Sequence, residues 1–277
     1  MHIQRGAWAE INLDAVAHNV QMAKANLKPT TKLCAVVKAD AYGHGAVRVA
    51  QEAARNGADF FAVALLQEGV KLREAGIETP ILVLGSMLPE VAEICVRYDI
   101  SHAVFDEERL YALNAAALKL HTKAKIHIKI DTGMHRIGVH VRDAGRFAKL
   151  AASLPGIYIE GVFSHFATAD ADDKQYAAYQ FERFQEALRL IEAEGVHIPI
   201  RHIANSAALT ELQEYQLDMV RQGITLYGLH PAHMIDCYKD FEPVMTVKTQ
   251  VAFVKTLPPG ETIGYGRTYT LSRPIVL

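Results

Sequence analysis

The sequence predicts an α/β protein: a (β/α)8 TIM-type barrel followed by an incomplete C-terminal β-domain. Three observations carry that expectation. From Lys32 to about Tyr227, short apolar runs alternate with longer amphipathic stretches, the pattern of repeated βα units around a parallel sheet. Eight such apolar runs occur, the number that closes a barrel. From Phe241 onward the pattern changes to Val- and Thr-rich segments broken by turn residues, which reads as a second region built of strands.

The elements follow in order. Ala7-Trp8-Ala9-Glu10-Ile11-Asn12-Leu13 alternates with period two and reads as a strand, and a helix capped by Asp14 is expected to start there. The candidate barrel strands are Leu33–Lys38, Phe60–Leu65, Ile81–Leu84, Ala103–Phe105, Lys125–Asp131, Ile157–His165, His202–Asn205 and Met219–Thr225. Between them, Asp106–His121 places Leu110, Leu113, Ala117 and Leu120 at helical spacing, and Lys174–Glu194 does the same with Tyr179, Phe184, Leu188 and Ile191. Closure rests on the count, because an open doubly wound sheet uses the same units. The expected division is a barrel over 12–240 and a partial β-domain over 241–277 that includes the strand within 1–11. Val244–Val254 reads as strand, Pro258-Pro259-Gly260-Glu261 as a turn, and the chain stops in the apolar Pro274-Ile275-Val276-Leu277. The 37 residues from Phe241 fall below the roughly 40 that usually suffice for an independent core. An apolar terminal strand without a partner is a liability, so the sequence reads as a piece of a longer protein.

Bulk properties narrow the function. With 29 Lys+Arg against 31 Asp+Glu, the net charge of -2 offers no field for nucleic acid or an anionic membrane, and a small-molecule substrate fits better. Cys34, Cys95 and Cys237 form no C-x-x-C pair and read as small buried apolar residues in a reducing compartment. No leader-like segment or run of 18 apolar residues occurs, so a cytoplasmic location is expected. The 13 histidines include His230-Pro231-Ala232-His233, but no H-E-x-x-H or comparable ligand spacing, so no metal site is assigned.

In a barrel of this kind the functional side chains sit at the C-terminal ends of the strands. Lys38 ends the first candidate strand, Arg136 follows the fifth through Asp131-Thr132-Gly133-Met134, His165 ends the sixth, Asn205-Ser206 ends the seventh, and Gly223 lies late in the eighth. Each has a plain alternative. Lys38 can extend its ammonium to water, Arg136 can pair with Asp131, His165 can be a satisfied core histidine, and Asn205-Ser206 can cap a helix. Five unusual polar residues on one rim, from five strands, favour a site. Loops after the seventh and eighth strands often hold a phosphate, and Ser206 with Gly223-Ile224 supplies donors for one. A strand-end lysine beside a phosphate site suggests pyridoxal 5'-phosphate, whose aldehyde takes a lysine amine.

Six segments then carry a resemblance to a known family. Ala35-Val36-Val37-Lys38-Ala39-Asp40-Ala41-Tyr42-Gly43-His44-Gly45 resembles the cofactor-lysine motif of bacterial alanine racemases. So do Lys129-Ile130-Asp131-Thr132-Gly133-Met134-His135-Arg136-Ile137-Gly138, His202-Ile203-Ala204-Asn205-Ser206, Val220-Arg221-Gln222-Gly223-Ile224, Tyr227-Gly228 and Gly264-Tyr265-Gly266-Arg267-Thr268-Tyr269. The resemblance implies a homodimer that interconverts L- and D-alanine for peptidoglycan. Lys38 would hold the cofactor and act as one base, and Tyr265 from the partner subunit would be the other. It implies a chain from that tyrosine through His165 to Arg221, which would face the pyridine nitrogen. Arg136 would bind the cofactor and the substrate carboxylate, Tyr42, Ser206, Gly223 and Ile224 would bind the phosphate, and Asn205 would complete the cofactor site. In some family members the lysine matching Lys129 is carbamylated. Family members also run further, with a complete β-domain, so this chain is expected to hold the cofactor yet racemise poorly. A non-catalytic carrier of the same cofactor, which would lack a second base, and a racemase of another small amino acid such as serine are the alternatives. A decarboxylase of basic amino acids on a related barrel would need a cysteine motif that has no match here.

Overall fold

The computed structural model describes residues 6–231 and 238–277. His233 and Cys237 therefore lie outside the described residues. The chain forms two compact units, residues 12–244 and residues 1–11 with 245–277.

The smaller unit begins with strand β1 (Ala7–Ile11). The larger opens with helix α1 (Leu13–Ala25), whose cap is Asn12 rather than Asp14: the Asn12 side chain accepts from the N–H groups of Asp14 and Ala15. Asp14 instead lies in the first turn, where its charge complements the helix dipole. Then come β2 (Lys32–Val36), α2 (Ala46–Arg55), β3 (Phe60–Val63), α3 (Leu66–Glu74), β4 (Ile81–Val83), α4 (Ala92–Arg97), β5 (Ser101–Val104), α5 (Glu107–Lys119) and β6 (Ala124–Asp131). The remainder is the short β7 (Val139–His140), α6 (Ala144–Ser153), β8 (Ile157–Phe163), α7 (Gln175–Ala193), β9 (Ile200–His202), α8 (Ser206–Glu211) and β10 (Met219–Gln222).

Eight parallel strands run in the order β10-β2-β3-β4-β5-β6-β8-β9, with β7 paired to β6 off this path. Every residue of β3, β4 and β5 is buried, as expected of a parallel sheet covered on both faces. Between β9 and β10 no ladder forms, but the Asp218 N–H donates to the Arg201 carbonyl at 3.0 Å and the Arg221 N–H to the Ala204 carbonyl at 3.1 Å. The barrel is thus nearly closed. Its interior is filled by alternate residues of several strands, with Cys34, Val36, Phe60, Ala62, Leu82, Ile200 and Met219 packed as one cluster. Cys34 and Cys95 are buried, and burial pushes both thiols up to about 12. No helix among the described residues is long and apolar enough to cross a membrane.

Several strands end before the positions their sequence suggests. The β2 ladder stops at Val36 and β8 at Phe163, so Lys38 and His165 lie two residues beyond their strands, in the βα connections. The seventh strand is Ile200–His202, displaced toward the N-terminus, because Asn205 is committed to capping α8 through the Ala208 N–H.

In the smaller unit, β1 pairs antiparallel with β11 (Met245–Thr249). β12 (Thr256–Leu257), β13 (Thr262–Ile263), β14 (Tyr269–Thr270) and β15 (Ile275–Val276) are two residues each. The long strand expected over Val244–Val254 is confined to Met245–Thr249, where β1 supplies hydrogen-bond partners. The terminal segment expected to be unpaired does have a partner: β15 pairs with β12, and Lys255 and Leu277 exchange both backbone hydrogen bonds.

Candidate active site

Ten of the eleven candidate residues line a single cavity of about 590 Å³ in the larger unit: Lys38, Tyr42, Lys129, Arg136, His165, Asn205, Ser206, Arg221, Gly223 and Ile224. Each comes from the connection following a barrel strand or from a strand itself, which is where the fold gathers side chains from distant parts of the chain.

Lys38 opens a left-handed turn. Ala39, Asp40, Ala41 and Tyr42 have φ of 51°, 52°, 55° and 52°, a conformation that costs L-residues roughly 1–2 kcal/mol each. Neighbouring groups hold it. The Ala41 N–H donates to the Val37 carbonyl and the Gly43 N–H to the Ala39 carbonyl, each at 3.0 Å. Glu68 accepts the Ala39 N–H at 2.6 Å and, with its other oxygen, the N–H groups of Ala64 and Leu65 at the start of α3. Asp40 accepts the Ala46 N–H at the start of α2. Beneath the turn, the buried Tyr227 hydroxyl donates to the Val36 carbonyl at 2.8 Å, and its ring lies 5.0 Å from that of Tyr42. The half-buried Lys38 extends its Nζ to 5.7 Å from the Tyr42 ring centre. Burial pushes the Tyr42 phenol up, keeping it a neutral donor.

On the opposite side, Ser206 starts α8 and its Oγ accepts the Gly223 N–H at 2.8 Å. A Cβ on Gly223 would lie 3.6 Å from the Tyr42 hydroxyl and 3.7 Å from Ser206 Oγ, so these two hydroxyls and the Gly223 backbone converge on one small volume. The two hydroxyls, with Ser206 held in place by the Gly223 amide and Ile224 adjacent, form a donor set suited to a phosphate.

The cavity floor is cationic. Arg221, buried on β10, donates from NH1 to His202 Nδ1 at 2.7 Å and from NH2 to the Ser164 carbonyl, the Ile203 carbonyl and His165 Nδ1 at 2.8, 3.0 and 3.0 Å. Burial brings its pKa down to about 10, still well above neutrality. Burial and the nearby charges of Arg221, Lys129, Arg136 and Lys38 hold His165 well below the usual imidazole range, so it is neutral. Since Arg221 donates to Nδ1, the ring proton of His165 sits on Nε2. Lys129 is buried with Nζ 4.8 Å from the Phe163 ring centre; burial, Arg221 and Arg136 push its amine well below the ordinary value, against the opposing pull of Asp131. Arg136 is exposed at the cavity mouth, and the Arg136–Asp131 pair does not form. Asp131 is occupied by the N–H groups of Gly133 and His135 and by the His135 ring.

The alanine racemase N-terminal domain family matches residues 11–231, and the alanine racemase C-terminal domain family matches residues 244–277. The chain belongs to the alanine racemase family. It is 46% identical over 265 residues to the alanine racemase of Desulfovibrio desulfuricans, covering 96% of this chain and 71% of that one. It is 45% identical to the alanine racemase of Halothermothrix orenii, covering 98% and 72%. Among solved structures, alanine racemase of Clostridium difficile 630 superposes with a TM-score of 0.92 at 38% identity, covering 99% of this chain and 72% of that one. The Bacillus anthracis alanine racemase with bound L-Ala-P does so with a TM-score of 0.90 at 36% identity, covering 99% and 71%. Membership makes the protein an amino-acid racemase, an isomerase.

Against the alanine racemase pattern, the residue not brought into the cavity is Tyr265. It belongs to the smaller unit, in the turn between β13 and β14, and its side chain is fully exposed. Sequence reasoning also missed contributors. Glu68 lies three residues into α3 and looks like a helix-capping acid; that it reaches Ala39 is visible only in three dimensions. His202 was read as part of a motif and not as the anchor of Arg221. The one signal in the sequence is its place next to the apolar Ile203-Ala204 in a candidate strand, where a polar ring needs partners.

Proposed function

We propose that this chain interconverts L- and D-alanine with pyridoxal 5'-phosphate, by proton transfer between two bases. The observation that carries the reading is the convergence, in one cavity, of the Lys38 amine, the Tyr42 and Ser206 hydroxyls beside Gly223, and the buried Arg221. These groups fit the cofactor's aldehyde, phosphate and ring nitrogen in turn. When bound, the cofactor supplies the electron sink that acidifies the substrate's α-hydrogen.

The chain's own residues do the rest. Lys38 Nζ takes or returns the α-proton on one face, and the Tyr265 hydroxyl does so on the other; one base alone would return the proton to the side it left. An ordinary phenol ionises near pH 10, so the tyrosine needs a donor to its oxyanion. The Nε2–H of His165, fixed by Arg221 at Nδ1, is suited to provide it. Tyr265 acts from the partner subunit of a homodimer, which agrees with its exposure in this chain. Arg221 keeps a positive charge against the ring nitrogen and so disfavours its protonation, which restrains transamination; Arg221→Glu is expected to raise that side reaction. Arg136 binds the substrate carboxylate with its planar donor pair. Lys129, pushed toward the neutral amine beside two arginines, suits carbamylation, which would turn a like-charge cluster into an ion pair with Arg136. The D-alanine would serve peptidoglycan synthesis in the cytoplasm.

The test is to incubate the 277-residue chain with cofactor and, separately, L-alanine and L-serine, and to follow each D-enantiomer by chiral chromatography. Slow D-alanine formation, abolished by Lys38→Ala, is the expected result. No D-alanine with retained cofactor absorbance would favour the carrier reading, and faster D-serine formation would reassign the substrate.

A further inference from the structure

Arg221 is buried, yet among the described residues its four hydrogen bonds go to imidazole nitrogens or carbonyl oxygens and none to a carboxylate. A buried cation ordinarily requires a counter-ion. Its acceptors lead to one. A guanidinium only donates, so His202 Nδ1 carries no proton, and the neutral ring has its proton on Nε2. That proton faces His127 Nδ1 at 2.9 Å, which must accept it, leaving the His127 proton on Nε2. His127 Nε2 lies 3.0 Å from Glu160 Oε2, and a carboxylate accepts. Donors and acceptors match in a single direction from Glu160 through His127 and His202 to Arg221. Burial alone would raise the Glu160 carboxyl, but the His127 N–H, the Ser101 hydroxyl and Lys125 outweigh it and hold the group below the usual carboxylate range.

The backbone is shaped for this chain. β6 and β8 pair Ile126 with Ile159 and then His127 with Gly161, so Glu160 is the extra residue of a β-bulge, a device that re-aims a side chain. At Gly161 a Cβ would lie 2.4 Å from His127 Nδ1 and 2.8 Å from the Ile200 carbonyl, so only glycine leaves room for the imidazole. The His202 ring is stacked on Phe163 at 4.9 Å and 6°, which fixes its plane.

We propose that Glu160 is the remote counter-ion of Arg221 and a positioning residue of the active site, acting through His127 and His202. Each imidazole that donates toward the carboxylate becomes a better acceptor on its other side, so the anion's pull reaches the guanidinium. The catalytic consequence rests on the racemase reading above, in which Arg221 faces the cofactor ring; the hydrogen-bond chain does not.

The test begins with the full chain free of cofactor, labelled with 15N-histidine and 15N-arginine, in long-range 1H–15N NMR. His127 and His202 are expected to be protonated on Nε2 alone. Glu160→Gln removes the charge and keeps the length; both Nε2 proton resonances should move upfield and the Arg221 side-chain resonances should broaden. Ser101→Ala strips a competing donor from the carboxylate and should move the same two protons downfield, which keeps the test open if Glu160→Gln does not fold. A His202 proton on Nδ1, or His202 and Arg221 resonances unmoved by either substitution, overturns the proposal. With cofactor and alanine, Glu160→Gln should lower kcat about ten-fold with KM held within about two-fold, and Glu160→Asp should recover part of the loss. An unchanged kcat in Glu160→Gln overturns the positioning role. The expected resonance shifts in a chain that racemises nothing would leave the counter-ion assignment standing and sink the functional reading instead.

Discussion

Arg221, proposed to face the cofactor ring, and Tyr265, proposed to act on the substrate, are held in opposite ways by the two units. The larger unit buries Arg221 and gives it four hydrogen bonds, from strand β9 and from the connections that follow β8 and β9. The smaller unit leaves Tyr265 fully exposed between strands two residues long, with Val251, Phe253 and Val254 also exposed. A parallel barrel presets its rim side chains because each connection is anchored by strands hydrogen-bonded into the sheet. Two-residue antiparallel pairs supply too few contacts to preset anything. One half of the proposed chemistry is thus fixed by the larger unit, and the other half stands exposed on the smaller one.

The largest expected effect tests the preset half. Lys38→Ala should lower racemisation roughly 10⁴-fold or more, since it removes both the cofactor's attachment and one base. Tyr265→Phe should cost on the order of 10³-fold while α-hydrogen exchange with deuterated solvent continues for one enantiomer without inversion. Equal loss of exchange for both enantiomers would contradict a two-base division between the units. In stability, Phe184→Ala in the packed helical layer should cost about 3–5 kcal/mol by urea unfolding, whereas Val251→Ala should stay within about 0.5 kcal/mol. Similar costs would erase the contrast.

Acidification should act on the barrel first. Burial lowers His102 to about 4 and holds His165 and His202 well below the imidazole range, while residues 245–277 contain no histidine. The unfolded chain takes up protons near pH 6.5 that the folded barrel refuses. These groups therefore stabilise the fold fully above that pH, and their contribution is lost as pH falls toward the folded-state values. The slope should be roughly 1.4 kcal/mol per pH unit for each histidine, measurable as a falling urea midpoint below pH 6.5 that flattens when His102 is replaced.

Periodicity revealed the barrel because buried parallel strands read as unbroken apolar runs, and the rim residues could be named because strand ends are where polar residues interrupt those runs. The ends themselves were less legible. Lys38 was placed at the end of a strand because Ala35–Val37 is apolar, but the ladder stops at Val36 where the turn reverses hand. Four non-glycine residues in that conformation leave no mark in composition, since Glu68 and Tyr227 support it from elsewhere in the chain. The Glu160 bulge was hidden for the same reason: an acid inside an apolar strand looks like an outward-facing residue until the neighbouring register is known.

The reversed turn after Lys38 also inverts the usual rule for glycine, which ordinarily weakens a helical turn. Ala39 is exposed and holds φ of 51°, so Ala39→Gly should relieve strain and raise stability by up to about 1 kcal/mol. The same change would loosen the aim of the neighbouring amine. Selection for heat resistance and selection for turnover would then pull this one position toward different residues.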